Sequence, residues 1–222
     1  MSTPIPLLVI LLSAVASITP AFASDANQSK AVHEALNQAA DVAINRLGRT
    51  DGFLGDPRVR IGLSEDLARI EKTLRRYGFE RYVEEFVQSI NHAAEAAMPA
   101  AKPIVLQAVR DMTLTEAAKI IRGPDDAATE YFRRHTESAL TVQLRPTIAQ
   151  ATARSGVAAA YKRMVRKVSV FEKVQNGTRL DLDDYITREA LDGLYRVIAD
   201  EEKRIRREPV ARTTEILRSV FR

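Results

Sequence analysis

Glu202 is a carboxylate standing where a helix should be apolar. At 100° of rotation per residue, the segment Thr187–Arg207 puts Leu191, Tyr195 and Ile198 on one face, and Glu202 falls on that face between Ile198 and Ile205. Glu201 lies at its edge. A charge buried there must be paired or protonated, because an isolated one is very costly. Arg206, four residues on, is the nearest partner in sequence, and Arg212, beyond Pro209, is the second. Two chemistries fit the pattern. One is a structural ion pair locking two C-terminal helices together. The other is a functional acid in a pocket.

Three weaker candidates follow. His135 stands in the stripe Ala128, Tyr131, Phe132, Ala139, Val142, with no carboxylate readable beside it. It reads as a hydrogen-bonded core residue or the edge of a helix contact, with a ligand or catalytic role as the alternative. His92 and Glu95 form an H-x-x-E pair, a spacing used by metal-binding helical bundles. Both fall opposite the Phe79, Val83, Phe86, Ile90 stripe and are expected to face solvent, and no matching pair stands on another helix. Asn91 and Glu95 are also candidates for lining a cavity next to Glu202. The acidic clusters Asp51…Asp56 and Asp181–Asp184 lack the glycine and terminal glutamate of a calcium loop. They read as turn chemistry and as a helix start. No G-x-S-x-G, phosphate loop or dinucleotide fingerprint is present. Neither a metal nor a cofactor is expected.

The composition closes further classes. The 222 residues hold no Cys and only 3 His, which removes thiol nucleophiles, disulfide frameworks and Cys-ligated metals. A net charge of +4, from 33 basic and 29 acidic residues, is a mixed surface and not a nucleic-acid stripe. At 45% apolar residues the chain can bury a core.

The elements that must position these residues all read as helix. Val32, Leu36, Ala39, Ala43 and Leu47 form a first stripe ending at Gly48. Ser64 caps a second segment, Phe79 to Ala97 forms a third, and Ile104 to Met112 a fourth. Thr113 and Glu116 form a capping box for a short helix stopped by Gly123-Pro124. A long helix from Ala127 is expected to bend or end at Pro146. Val157–Phe171, Thr187–Arg207 and Pro209–Phe221 complete about eight helices. Arg49–Leu63 and Glu172–Asp184 are loops, the second carrying an Asn176-Gly177 turn signal compatible with a small hairpin. The fold class is all-α, a single multi-helix domain over 24–222.

Residues 1–23 form an address. The uncharged run Ile5–Ile18 ends in Ala21-Phe22-Ala23, with small residues where a signal peptidase needs them. The run is shorter than the ~20 residues of a membrane span and is interrupted by Pro4, Pro6 and Pro20. Export with cleavage after Ala23 is expected, giving a periplasmic or secreted protein. A second signal is the basic amphipathic segment 157–171. Tyr161, Met164, Val165, Val168 and Phe171 form its apolar face, and Lys162, Arg163, Arg166 and Lys167 stand outside it. It reads as an ordinary helix with a solvated basic face, or as a peripheral contact with an anionic membrane.

Several strings resemble one family. Leu47-Gly48-Arg49-Thr50-Asp51-Gly52-Phe53-Leu54 is similar to the opening motif of the exported bacterial domain of unknown function 4197 family. So are Asn91-His92-Ala93-Ala94-Glu95, Ala127-Ala128-Thr129-Glu130-Tyr131-Phe132 and Ala190-Leu191-Asp192-Gly193-Leu194, and the run Glu201–Thr214 resembles its C-terminal signature. The chain departs from the pattern at His92, where a basic residue is expected, and at Ser64, where proline is. The resemblance implies an exported helical domain and no particular activity. Two functions stay open: a non-catalytic periplasmic binding or interaction domain, or a small-molecule or lipid carrier or enzyme with a pocket floored by Glu202, Arg206 and Arg212. The first expects these groups to satisfy one another, and the second expects them to line open space.

Overall fold

The structure, a computed structural model, describes residues 20–169, 181–211 and 218. The described residues form eight α-helices: α1 (Pro20–Leu47), α2 (Glu65–Arg76), α3 (Glu80–Ala97), α4 (Lys102–Arg110), α5 (Leu114–Arg122), α6 (Ala127–Ser155), α7 (Val157–Val168) and α8 (Leu182–Arg207). Short 3-10 turns, Met98–Ala101 and Pro209–Ala211, join α3 to α4 and follow α8. The all-α single-domain expectation holds. Among the described residues no helix is long and apolar enough to cross a membrane.

Three long helices carry the frame. α8 packs on both α1 and α6, while α3 packs on α6, touches α8, and receives α7 and α2. α1 buries a ridge of small residues, Ala31, Ala35, Ala39, Ala40 and Ala43, beside Val32, Leu36, Ile44 and Leu47. Alanines at helical spacing let a neighbouring helix approach closely, and each apolar side chain taken from water contributes roughly 25 cal/mol per Å². The aromatic centre of the core is Phe53, Phe86, Phe132 and Tyr195, all under 2% exposed. Burial pushes the Tyr195 phenol up to about 12, and its hydroxyl lies 3.0 Å from Thr136 Oγ1.

Local chemistry sets the helix ends. The Thr113–Glu116 capping box is present in both directions. Asp181 caps α8 by accepting from Asp184 N at 3.0 Å, so α8 starts at Leu182, ahead of the expected Thr187. Of the two outcomes expected at Pro146, a bend or an end, α6 does not end there. The proline removes only the donor to the carbonyl of Val142, a residue 74% exposed, so water can take that donor's place. The break comes at Gly156, whose φ of +72° is a left-handed conformation that any side chain would strain, and there α6 gives way to α7. The Asn176-Gly177 turn, Arg212 and most of the expected helix Pro209–Phe221 lie outside the described residues.

Candidate functional site

Glu202 projects from α8 into the N-terminus of α6. The first amides of a helix have no internal partner, and Asp126, at the N-cap of α6, provides no side-chain cap. Glu202 supplies the missing acceptor from across the fold. Its Oε1 accepts from Ala128 N at 3.0 Å, and its Oε2 accepts from Thr129 N at 2.9 Å and Thr129 Oγ1 at 3.0 Å. The carboxylate also sits at the positive end of the α6 dipole. Arg206, one turn along α8, donates to Oε1 from Nε at 3.0 Å and Nη2 at 2.9 Å. The same Nη2 donates to the carbonyl of Ile120 at 2.8 Å, near the end of α5. One buried ion pair thus joins the end of α5, the start of α6 and the body of α8. The Glu202 and Arg206 side chains are 6% and 10% exposed, so water competes little for these bonds.

The space beside this pair is small. Val32, Ala35, Leu36 and Ala39 of α1, with Ile120, Ala128 and Ile205, line a partly open cavity of about 10 Å³ next to Glu202. That is about one water's worth of space and no ligand pocket. Glu201 does not join Glu202. It faces Arg204, which donates from Nε at 2.8 Å and Nη2 at 2.5 Å. Of the four principal candidates the structure brings together Glu202 and Arg206, and Arg212 falls outside the described residues.

Glu95 is the main correction. It does not face solvent: the residue is 4% exposed. Its Oε1 accepts from Phe53 N at 3.0 Å and Leu54 N at 3.2 Å, and its Oε2 from Asp51 N at 3.2 Å. One turn earlier, fully buried Asn91 accepts from Ile61 N at 2.9 Å and donates to Ile61 O at 2.8 Å and Val87 O at 2.7 Å. Asn91 and Glu95 therefore hold both arms of the long loop between α1 and α2. The expectation failed locally: Arg81, Glu84, Glu85 and Gln88 mark an exposed side of α3, and Glu95 continues that side, but there the α1–α2 loop lies over it. The loop is keyed from a further direction. Phe53 lies against Gly193 of α8 so closely that a Cβ there would come within 2.6 Å of its ring. Asp51 at the turn has φ +59°, uncommon for a residue with a side chain.

The H-x-x-E pair diverges. His92 points outward with Nε2 3.4 Å from Asp51 Oδ1, whereas Glu95 points in. No cluster of three or more potential metal ligands occurs among the described residues. His135 sits at the edge of a helix contact, stacked on Tyr131 with ring centroids 4.1 Å apart, its Nδ1 2.8 Å from Tyr131 O. A carboxylate does stand near it: Glu116 Oε1 is 3.6 Å from Nε2, on the neighbouring helix α5, where sequence spacing could not show it. The Thr113 amide and hydroxyl hold Glu116 below the usual carboxylate range. On the outer arm of the loop, Asp56 is held down at about 2, chiefly by its hydrogen bond from Arg58, and it also pairs with Arg46 at 2.6 Å.

The motifs that carried the resemblance meet in pairs. Asn91–Glu95 grips the loop of Leu47–Leu54, Phe53 of that loop is received by Gly193 of Ala190–Leu194, and Glu202 of the C-terminal run caps the helix opened by Ala127–Phe132. The chain belongs to the family described as protein of unknown function (DUF4197), whose model matches residues 23–222. Comparison with curated proteins and with solved structures returns no match.

Proposed function

We propose that this family member is exported, cleaved after Ala23, and acts in the periplasm as a non-catalytic binding or interaction domain. One observation carries the second half. The buried polar groups that sequence chemistry singles out, Glu202, Arg206, Glu95 and Asn91, all have their hydrogen-bonding capacity directed at the chain's own backbone and at one another. A carboxylate accepting from two amides, a hydroxyl and a guanidinium has little capacity left for a substrate. The cavity beside it has room for about one water, against the ~300 Å³ or more of a typical small-molecule site. The surface, and not an interior cleft, then carries the interaction.

Export is supported by the uncharged run that ends in Ala21-Phe22-Ala23, and by a family match that begins at residue 23, where the address would end. N-terminal sequencing of the native protein tests it. The expected first residue is Ser24 in a periplasmic or secreted fraction. A protein retained in the cytoplasm and starting at Met1 overturns the reading.

A further inference from the structure

We propose that the end of the molecule formed by α2, the α2–α3 turn and α7 is a docking surface for an anionic phospholipid bilayer. The proposal deepens the exported interaction domain read above by naming its partner. Arg69, Lys72, Arg75 and Arg76 of α2, Arg81 at the start of α3, and Lys162, Arg163 and Arg166 of α7 are all exposed. Carboxylates offset only some of this charge. Arg75 pairs with Glu71 and Glu84, and Arg163 with Glu85. Among the described residues no ion pair engages Arg69, Lys72, Arg76, Arg81, Lys162, Arg166 or Lys167.

The cations are gathered around aromatic rings at the turn. The Arg81 guanidinium lies 4.7 Å and the Lys167 ammonium 5.4 Å from the centroid of Tyr82, and Lys167 is 5.5 Å from that of Phe79. Arg81 also donates to the Tyr82 hydroxyl at 2.7 Å, which pulls that phenol below its usual range. Tyr77, at the tip of the turn, is 50% exposed. An exposed tyrosine among cations is the pairing that favours the headgroup layer, where the ring is half-wetted and the cations meet phosphates.

Burial decides the kind of contact. The apolar faces of α2 and α7 are already in the core through Leu67, Leu74, Val157 and Met164. Neither helix has an apolar face left to sink into a bilayer, so the attachment is electrostatic, peripheral and weakened by salt. A protein partner fits the face less well. Among the described residues its exposed large apolar side chain is Tyr77 alone, whereas a protein interface has an apolar centre, and two surface grooves lie elsewhere, between α5 and α6 and between α3 and α6.

The test is co-sedimentation of the purified full chain with vesicles of phosphatidylcholine containing about one-third phosphatidylglycerol, at low salt. The chain is expected to pellet with these vesicles, to stay in solution with pure phosphatidylcholine, and to be released at about 1 M salt. R76E/R81E/R166E is expected to weaken binding at least about 30-fold, and Tyr77→Ser several-fold. R110E/K119E/R188E changes net charge equally on other faces and is expected to bind within about 3-fold of the parent. Circular dichroism checks each fold, and the milder R76Q/R81Q/R166Q is expected to shift binding in the same direction. The proposal is overturned if the anionic vesicles fail to pellet the chain, if the first triple variant binds like the parent, or if the second loses as much. An uncleaved apolar run at Ile5–Ile18 would pellet with pure phosphatidylcholine too and resist salt, whereas docking through this face needs the anionic lipid, so failure of export and failure of docking give separate results.

Discussion

Replacing Glu202 by alanine removes a side chain that five donor atoms address: the amides of Ala128 and Thr129, the Thr129 hydroxyl, and Nε and Nη2 of Arg206. The hydroxyl can rotate to another acceptor, and Arg206 keeps its bond to Ile120 O. The two amides lose their acceptor, and Arg206 loses its carboxylate, in a site only a tenth exposed. Breaking a buried pair from one side costs about 3–5 kcal/mol. Loss of a carboxylate from a helix N-terminus falls within that range and is not added to it. For a domain of this size about 1 kcal/mol moves Tm by about 2–4 °C, so the melt is expected to fall by about 6–20 °C. Against a total stability of about 5–15 kcal/mol such a loss is plain in either a thermal or a urea transition. Pairing Glu202→Ala with Arg206→Met makes the reasoning sharper. If the pair acts as a unit, the double variant is expected to cost less than the sum of Glu202→Ala and Arg206→Met measured singly. A Glu202→Ala protein within about 0.5 kcal/mol of the parent would refute the structural role of the pair.

Glu95→Ala is expected to cost about 2–4 kcal/mol in urea unfolding, because three loop amides lose a buried acceptor. Gly193→Ala places a methyl group 2.6 Å from the Phe53 ring and is expected to cost about 1–3 kcal/mol, with Phe53→Leu in the same chain recovering part of it. Asp56→Asn is expected to cost about 1 kcal/mol at neutral pH, a figure reduced for the solvent that reaches Arg58. Asp56 titrates at about 2 in the fold against an ordinary 3.8, so its contribution is full above about pH 4 and is lost as pH falls towards 2. The gap between parent and Asp56→Asn in acid-dependent melts should close over that window.

The helices were largely legible in the sequence, since α1 and α8 show their apolar stripes at helical spacing and the Thr113–Glu116 box marks its own start. Glu202 was legible for the same reason, because a charge on an apolar face has to be explained and its first partner is one turn away. Its other partners were not: Ala128 and Thr129 lie 74 and 73 residues back, and nothing in spacing says which helix end needs an acceptor. Glu95 was misplaced because a helical wheel shows the solvent side of α3, exposed at Arg81, Glu84, Glu85 and Gln88, but not that a loop distant in sequence lies over one end of it. The usable signal was composition. Ala93, Ala94, Ala96 and Ala97 flank Glu95, and a run of alanines lets backbone approach from any side, which a carboxylate can then hold. Pro146 left open whether α6 bends or ends; it does not end, because the missing donor falls on the solvent side, where losing one bond does not stop a helix.

The central claim is that the polar residues of the family motifs hold the chain together and do not serve a substrate. Native-state hydrogen exchange on the parent and on Glu95→Gln tests it most directly. In the parent, the amides of Asp51, Phe53 and Leu54 should be protected nearly as well as those in the middle of α3, although they lie in a loop. In Glu95→Gln one acceptor oxygen becomes an NH2 donor, so the Asp51 amide that faces it should exchange about 30- to 100-fold faster, while Phe53 and Leu54, on the retained oxygen, and the helical amides around Val87 and Ile90 change less. Loop amides that exchange fast in the parent, or an Asp51 amide that keeps full protection in the variant, would contradict the claim and leave a buried carboxylate free for other chemistry.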